Sequence, residues 1–313
     1  MTSIQIMYIK TQSKFILTPL VRILQDGLNA SKGLGTGIET YPLSDYVMQS
    51  IFLKMTGAQE QKLKCICWDL ATNDYAFRRD YLDNVKLHYG EFSEYKQKNK
   101  VYCQLIDEIQ KIRPGFNIDT LKWIETKDSD TEHDLLNRHV ENKIKAVVEK
   151  ESKKGEIKED VRVRIEEGVR KECLDNRSQT LIHALKEAMC LQVKKEIETT
   201  LSGTLFANGF PRNFSHWCGK AENYFHEDFG TKKELLCNGL KKLYTDDVIV
   251  HRHRLAHNLT SFQHNLPTLD TLASREYATH NYFYRFFLLA LIDEIFMRLY
   301  SEYTKSLDES LQY

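Results

Sequence analysis

Tyr282–Tyr300, YFYRFFLLALIDEIFMRLY, is the most hydrophobic run of the chain and decides how the rest is read. It lies in a pattern over about residues 273–305 that repeats Phe283, Phe287, Leu291, Ile295, Leu299 and Tyr303 at four-residue steps. That spacing gathers side chains onto one broad helical face. Arg285, Asp293, Glu294 and Arg298 interrupt the run, and charges so placed are too costly for a membrane span. The expectation is the central helix of a C-terminal helical bundle.

The same period governs the sequence outward from there. Val47, Ile51, Phe52, Met55, Leu63, Ile66, Cys67 and Leu70 predict a long helix capped by Ser44 or Asp45. Further helices are predicted over about 76–88, through Val101, Leu105, Ile109 and Ile112 up to Pro114-Gly115, over 131–152, and over 178–201. Thr231-Lys232-Lys233-Glu234 fits a capping box opening a helix with Leu235, Leu236, Leu240 and Leu243. Only 14 Gly and 5 Pro occur in 313 residues, about half the ordinary usage of roughly 12 %. No period-two strand or internal repeat is visible, and the fold class is all-α. The polar break Lys127-Asp128-Ser129-Asp130 predicts a boundary between a helical N-terminal region, 1–130, suited to sensing or partner binding, and a second domain, 131–313. In the latter, alternating Lys and Glu predict long solvated helices.

Charge and cysteine usage narrow the class of function. Lys plus Arg equal Asp plus Glu at 44 each, so no net basic field exists and any anion site must be local. Seven scattered cysteines without a Cys-x-x-Cys pair predict neither a disulfide framework nor a structural zinc site. No secretory signal opens the chain, and the expected location is the cytoplasm, with no membrane association. The glycine-dense Ser31–Gly37 lacks the Lys-Ser/Thr and the strand-then-helix context of a phosphate loop, and reads as a connector.

The conspicuous cluster is His251-Arg252-His253-Arg254-Leu255-Ala256-His257-Asn258, three His and two Arg in eight residues. Its Arg-x4-His spacing recurs in related form at Arg177/His183 and Arg275/His280, so spacing alone does not single it out. Context does: polar His253 directly after the arginine, the Ala-His-Asn ending, the preceding Val248-Ile249-Val250 and the aromatic-rich helix downstream. In these respects residues 252–258 resemble the signature of the HEPN superfamily (higher eukaryotes and prokaryotes nucleotide-binding), whose members are all-helical. The resemblance covers the C-terminal part of the chain only.

Many HEPN proteins are metal-independent endoribonucleases, commonly toxins or antiviral-defence effectors, and the resemblance implies that activity here, leaving 2′,3′-cyclic phosphate ends. It casts Arg252 and His257 as catalytic. A guanidinium offsets charge on the phosphorane, and an imidazole exchanges a proton near neutral pH. His251, His253, Arg254 and Asn258 would bind or position the RNA substrate. No cofactor and no metal is called for, because no zinc-hydrolase Glu pattern or third ligand accompanies His253 and His257. Five positions along a straight helix turn through roughly 140°, so Arg252 and His257 share no face. Either the helix ends near Ala256 or a second copy completes the site; the resemblance favours a homodimer, with an antitoxin or defence-system protein as a further partner. The alternative is a non-catalytic HEPN module that binds RNA or nucleotide, or serves as a dimerisation platform.

Overall fold

The computed structural model describes residues 12–35, 41–85, 92–124, 129–153, 158–209, 211–220, 229–257 and 281–310. The fold is all-α. Among the described residues no strand forms, and a single isolated bridge joins Phe229 to Leu236. In chain order the helices are α1 (Val21–Ala30), α2 (Tyr41–Asn73), α3 (Tyr75–Val85), α4 (Tyr95–Ile112), α5 (Ser129–Ser152), α6 (Glu159–Asp175), α7 (Arg177–Leu201), α8 (Leu205–Gly209), α9 (Pro211–Lys220), α10 (Asn238–Leu243), α11 (Val250–His257) and α12 (Tyr282–Ser310). A π-helical turn, Tyr244–Ile249, joins α10 to α11. None of the described helices is long and apolar enough to cross a membrane.

The chain forms two compact units, one of Met1–Leu121 with Val193–Tyr313, the other of Lys122–Gln192. This division differs from the boundary expected near residue 130. The reason lies in α12, whose residues Phe283–Asp293 are all buried, not one stripe alone. A helix buried around its circumference needs cover on several sides, and α2 and α4, both N-terminal to the expected boundary, supply it. The N-terminal helices are thus part of the bundle that α12 centres.

In the larger unit α1 and α3 pack on α2, and α9 packs on α12. The α1–α2 approach is close: a Cβ at Gly27 would fall 2.4 Å from Cδ1 of Ile51, so only glycine fits without a shift of that side chain. Two of the charges that interrupt the apolar run, Arg285 and Asp293, are buried and paired. Arg285 donates from Nε and Nη2 to Asp247, the shortest contact being 2.6 Å. Lys62 Nζ donates to both oxygens of Asp293 at 2.7 and 2.9 Å, and Asp293 also accepts from the backbone N–H of Leu20. Burial pushes the Asp293 carboxyl up to about 6 and lowers the Lys62 ammonium, while each opposes the other's shift. Tyr300 donates to Asp69, which also accepts from Gln12.

The Thr231–Glu234 box closes a tight turn and does not open a helix. Thr231 N–H donates to the Glu234 carbonyl at 3.0 Å, and the Glu234 N–H returns a bond to Thr231 Oγ1 at 3.1 Å. Gly230 has φ +64°, the left-handed region. Tyr95, Asn99 and Tyr102 of α4 hydrogen-bond this segment, so Leu235 and Leu236 are buried by an extended strap and α10 starts only at Asn238.

The smaller unit pairs α5 with α6 around Val140, Ile144, Val169 and Cys173, flanked by Val147, Val148 and Ile165. His139 Nδ1 contacts Glu187 at 2.5 Å, Asn142 donates to the same carboxylate, and the His139 and His183 rings stack 6.3 Å apart. Trp123 is fully buried beneath the Lys186 ammonium, 5.2 Å from its ring centroid.

Candidate functional site

The six-residue π-helical turn Tyr244–Ile249 buries Tyr244, Asp247 and Val248. Such turns are uncommon and collect at functional sites. Here the turn leads directly into α11, which carries the His251–His257 cluster. Asp247 is fixed by Arg285, and the Tyr244 hydroxyl donates to the Ser93 carbonyl at 2.8 Å, so the start of α11 is tied to α12 and to the entry of α4.

The two residues that open the cluster face inward. His251 Nε2 and the Tyr282 hydroxyl lie 3.0 Å apart, and the imidazole packs against Phe52, ring centroids 5.2 Å apart. Burial first, then the Arg285 and Arg254 cations, push its pKa down to about 2. His251 is therefore neutral at physiological pH, and its surroundings are those of a packing residue. Arg252 Nη2 meets Glu60 Oε1 of α2 at 2.7 Å, an ion pair poorly aligned for a hydrogen bond. The Arg252 side chain retains 22 % exposure and Glu60 12 %, so the pair sits at the rim of the interior.

Lys98 of α4 stands behind this pair. Its side chain is essentially wholly buried, with Nζ 5.8 Å from the centroid of the Tyr244 ring. Burial lowers its ammonium to about 7; Glu60 opposes the shift, Arg252 adds to it and Asp293 opposes it. The same environment raises the Tyr244 phenol, through burial first and the Glu60 carboxylate second.

His253 and Arg254 are exposed, one step further along the helix. The helix is described through His257, one residue past Ala256, and positions 252 and 257 on it are turned roughly 140° apart. Asn258 and the side chain of His257 lie outside the described residues. The cluster thus separates into an interior pair, His251 and Arg252, and an outward pair, His253 and Arg254.

Glu60, Lys98, Tyr244 and Tyr282 complete these surroundings and were not singled out from the sequence. A signal did exist for two neighbours of Glu60. Gln59 and Lys62 continue the core-facing steps Phe52, Met55, then Ile66 and Leu70, and polar residues at core positions imply internal partners. Among the described residues no three His, Cys, Asp or Glu side chains are placed to hold a metal ion. No family model, curated protein or solved structure matches the chain.

Proposed function

We propose that the protein is a metal-independent endoribonuclease of the HEPN type, acting as a homodimer in a toxin or antiviral-defence role. The 2′-hydroxyl of a ribose attacks its own 3′-phosphorus, and the bond from phosphorus to the 5′-oxygen breaks. A 2′,3′-cyclic phosphate and a 5′-hydroxyl result. His257 moves a proton to or from the reacting oxygens, and the Arg252 guanidinium offsets charge on the phosphorane. His253 and Arg254 contact the RNA backbone. Because positions 252 and 257 are turned roughly 140° apart on one helix, each catalytic centre combines residues of two copies.

The observation that carries this reading is the convergence of Arg252 and Lys98 on Glu60 in a chain of zero net charge. It supplies a local cationic centre where the motif lies, which general composition does not. The Arg252–Glu60 ion pair favours a second reading, a non-catalytic module in which Arg252 holds α11 to α2 and the outward residues bind RNA or a second copy. Incubation of wild type, Arg252→Ala and His257→Ala with total RNA in EDTA, followed by end-group analysis, separates the two. Cyclic-phosphate ends made only by the wild type are expected, with all three proteins equally folded and dimeric. RNA binding without cleavage in the wild type would support the module instead.

A further inference from the structure

The charge count around Arg252 is uneven. Arg252 and Lys98 both lean on the single carboxylate of Glu60, while the nearest other acid felt by Lys98, Asp293, is already engaged by Lys62 at 2.7 Å. Among the described residues Lys98 Nζ makes no hydrogen bond or ion pair, and it lies 5.8 Å from the centroid of the Tyr244 ring. A cation buried to 1 % exposure that shares its main opposing carboxylate with a second cation is a costly arrangement, relieved either by loss of its proton or by arrival of an anion. The approach for an anion is the rim at Arg252, the more exposed member of the pair.

We propose that Lys98 and Arg252 form a subsite for an oxyanion, an RNA phosphodiester, whose oxygen supplies the second negative charge that this cluster lacks. The inference rests on the reading of Arg252 as a phosphate contact, but not on cleavage. Glu60 orients the guanidinium at the rim, and Lys98 adds charge from behind in low dielectric, where it counts for more than in water. Occupancy is linked to protons. With the site empty the Lys98 ammonium is held near 7, and a bound anion favours its charged form, so binding takes up a proton above neutral pH. The groups facing Lys98 from the packed elements are Glu60 of α2, Tyr244 of the π-helical turn, Arg252 of α11 and Asp293 of α12. None of these is a histidine.

Sulfate, which does not titrate in this range, is the probe. Calorimetry of the full chain at pH 6.5 and pH 8.5, in buffers of different ionisation enthalpy, is expected to show at least about tenfold weaker binding at the higher pH, with proton uptake on binding. Lys98→Met is expected to bind weakly and with no such pH dependence. Lys98→Arg, which keeps the charge at both pH values, is expected to flatten the dependence without losing affinity. A short single-stranded RNA is expected to compete with sulfate.

An unchanged pH ratio in Lys98→Met, or in Lys98→Arg should Lys98→Met fail to fold, would overturn the subsite. So would displacement of sulfate by inorganic phosphate but never by RNA. The two proposals fail separately. Cleavage that needs Arg252 and His257, together with sulfate binding indifferent to Lys98, breaks this inference alone. Sulfate binding that needs Lys98, in a protein that never cuts RNA, breaks the nuclease alone.

Discussion

The two compact units differ in where their long-range Lys, Arg, Asp and Glu pairs lie. In the larger one, Lys62–Asp293 and Arg285–Asp247 lie at 2 to 9 % side-chain exposure and join residues far apart in sequence. In the smaller one, Lys143–Glu172 and Arg170–Glu141 lie on the surface at 40 to 62 %. A buried pair gives little net stability over a well-packed apolar one, yet removing one member strands the other, so it fixes which helix faces which. A surface pair is screened by water and adds little. The lesson is that an ion pair sets register where it is buried and serves solvation where it is exposed.

The comparison is broken most sharply by Asp293→Leu, which leaves Lys62 buried without its counterion. A loss of about 3 to 5 kcal/mol is expected in denaturant titration, and Lys62→Met/Asp293→Leu should recover much of it. If the double variant is no better than the single, the pair does not act as a unit. Next in size is Ile144→Ala in the smaller unit, which removes a buried side chain from the cluster with Val169 and Cys173. A loss of about 2 to 4 kcal/mol is expected, read by hydrogen exchange as faster opening of α5 and α6.

Acid separates the units further. His251 is held far below its ordinary 6.5, so the unfolded chain takes a proton that the native one refuses. Its contribution is present above pH 6.5 and lost as pH falls, at about 1 kcal/mol per pH unit toward about pH 2. His251→Phe should flatten that part of the stability profile; an unchanged slope would refute the assignment. The smallest effect is expected for Arg170→Ala, below about 0.5 kcal/mol, because both partners of its ion pair are about half exposed.

Helical period made the fold class legible, and the α2, α4, α5, α7 and α12 patterns all fall within observed helices. The compact units do not divide at the polar break near 130, because such a break reports on loops, while the partners of α12 are a matter of long-range packing. Arg285 and Asp293 could be read as excluding a membrane, but their pairing with Asp247 and Lys62 required the third dimension. Thr231 and Glu234 misled because only one bond of a capping box forms, Glu234 N–H to Thr231 Oγ1, while the Thr231 N–H goes to the Glu234 carbonyl and the carboxylate accepts from Tyr95; Gly230 with the α4 contacts selects the turn. At the candidate site the motif drew attention to His251 and Arg252. Glu60 and Lys98 looked like ordinary solvated charges because the sequence does not say which way a lone Lys or Glu points.

Lys62 and Asp69 each wait 231 residues for their partners, Asp293 and Tyr300. A ribosome adding about 5 to 20 residues per second needs roughly 12 to 46 s to cover that distance. Through that interval the emerging α2 carries an apolar face that cannot be sealed, and Lys62 and Asp69 have only their N-terminal partners, Thr18 and Gln12. The smaller unit, whose core closes between adjacent helices, has no such delay. Synthesis of this chain therefore leaves its largest core open to chaperones until the last helix is made.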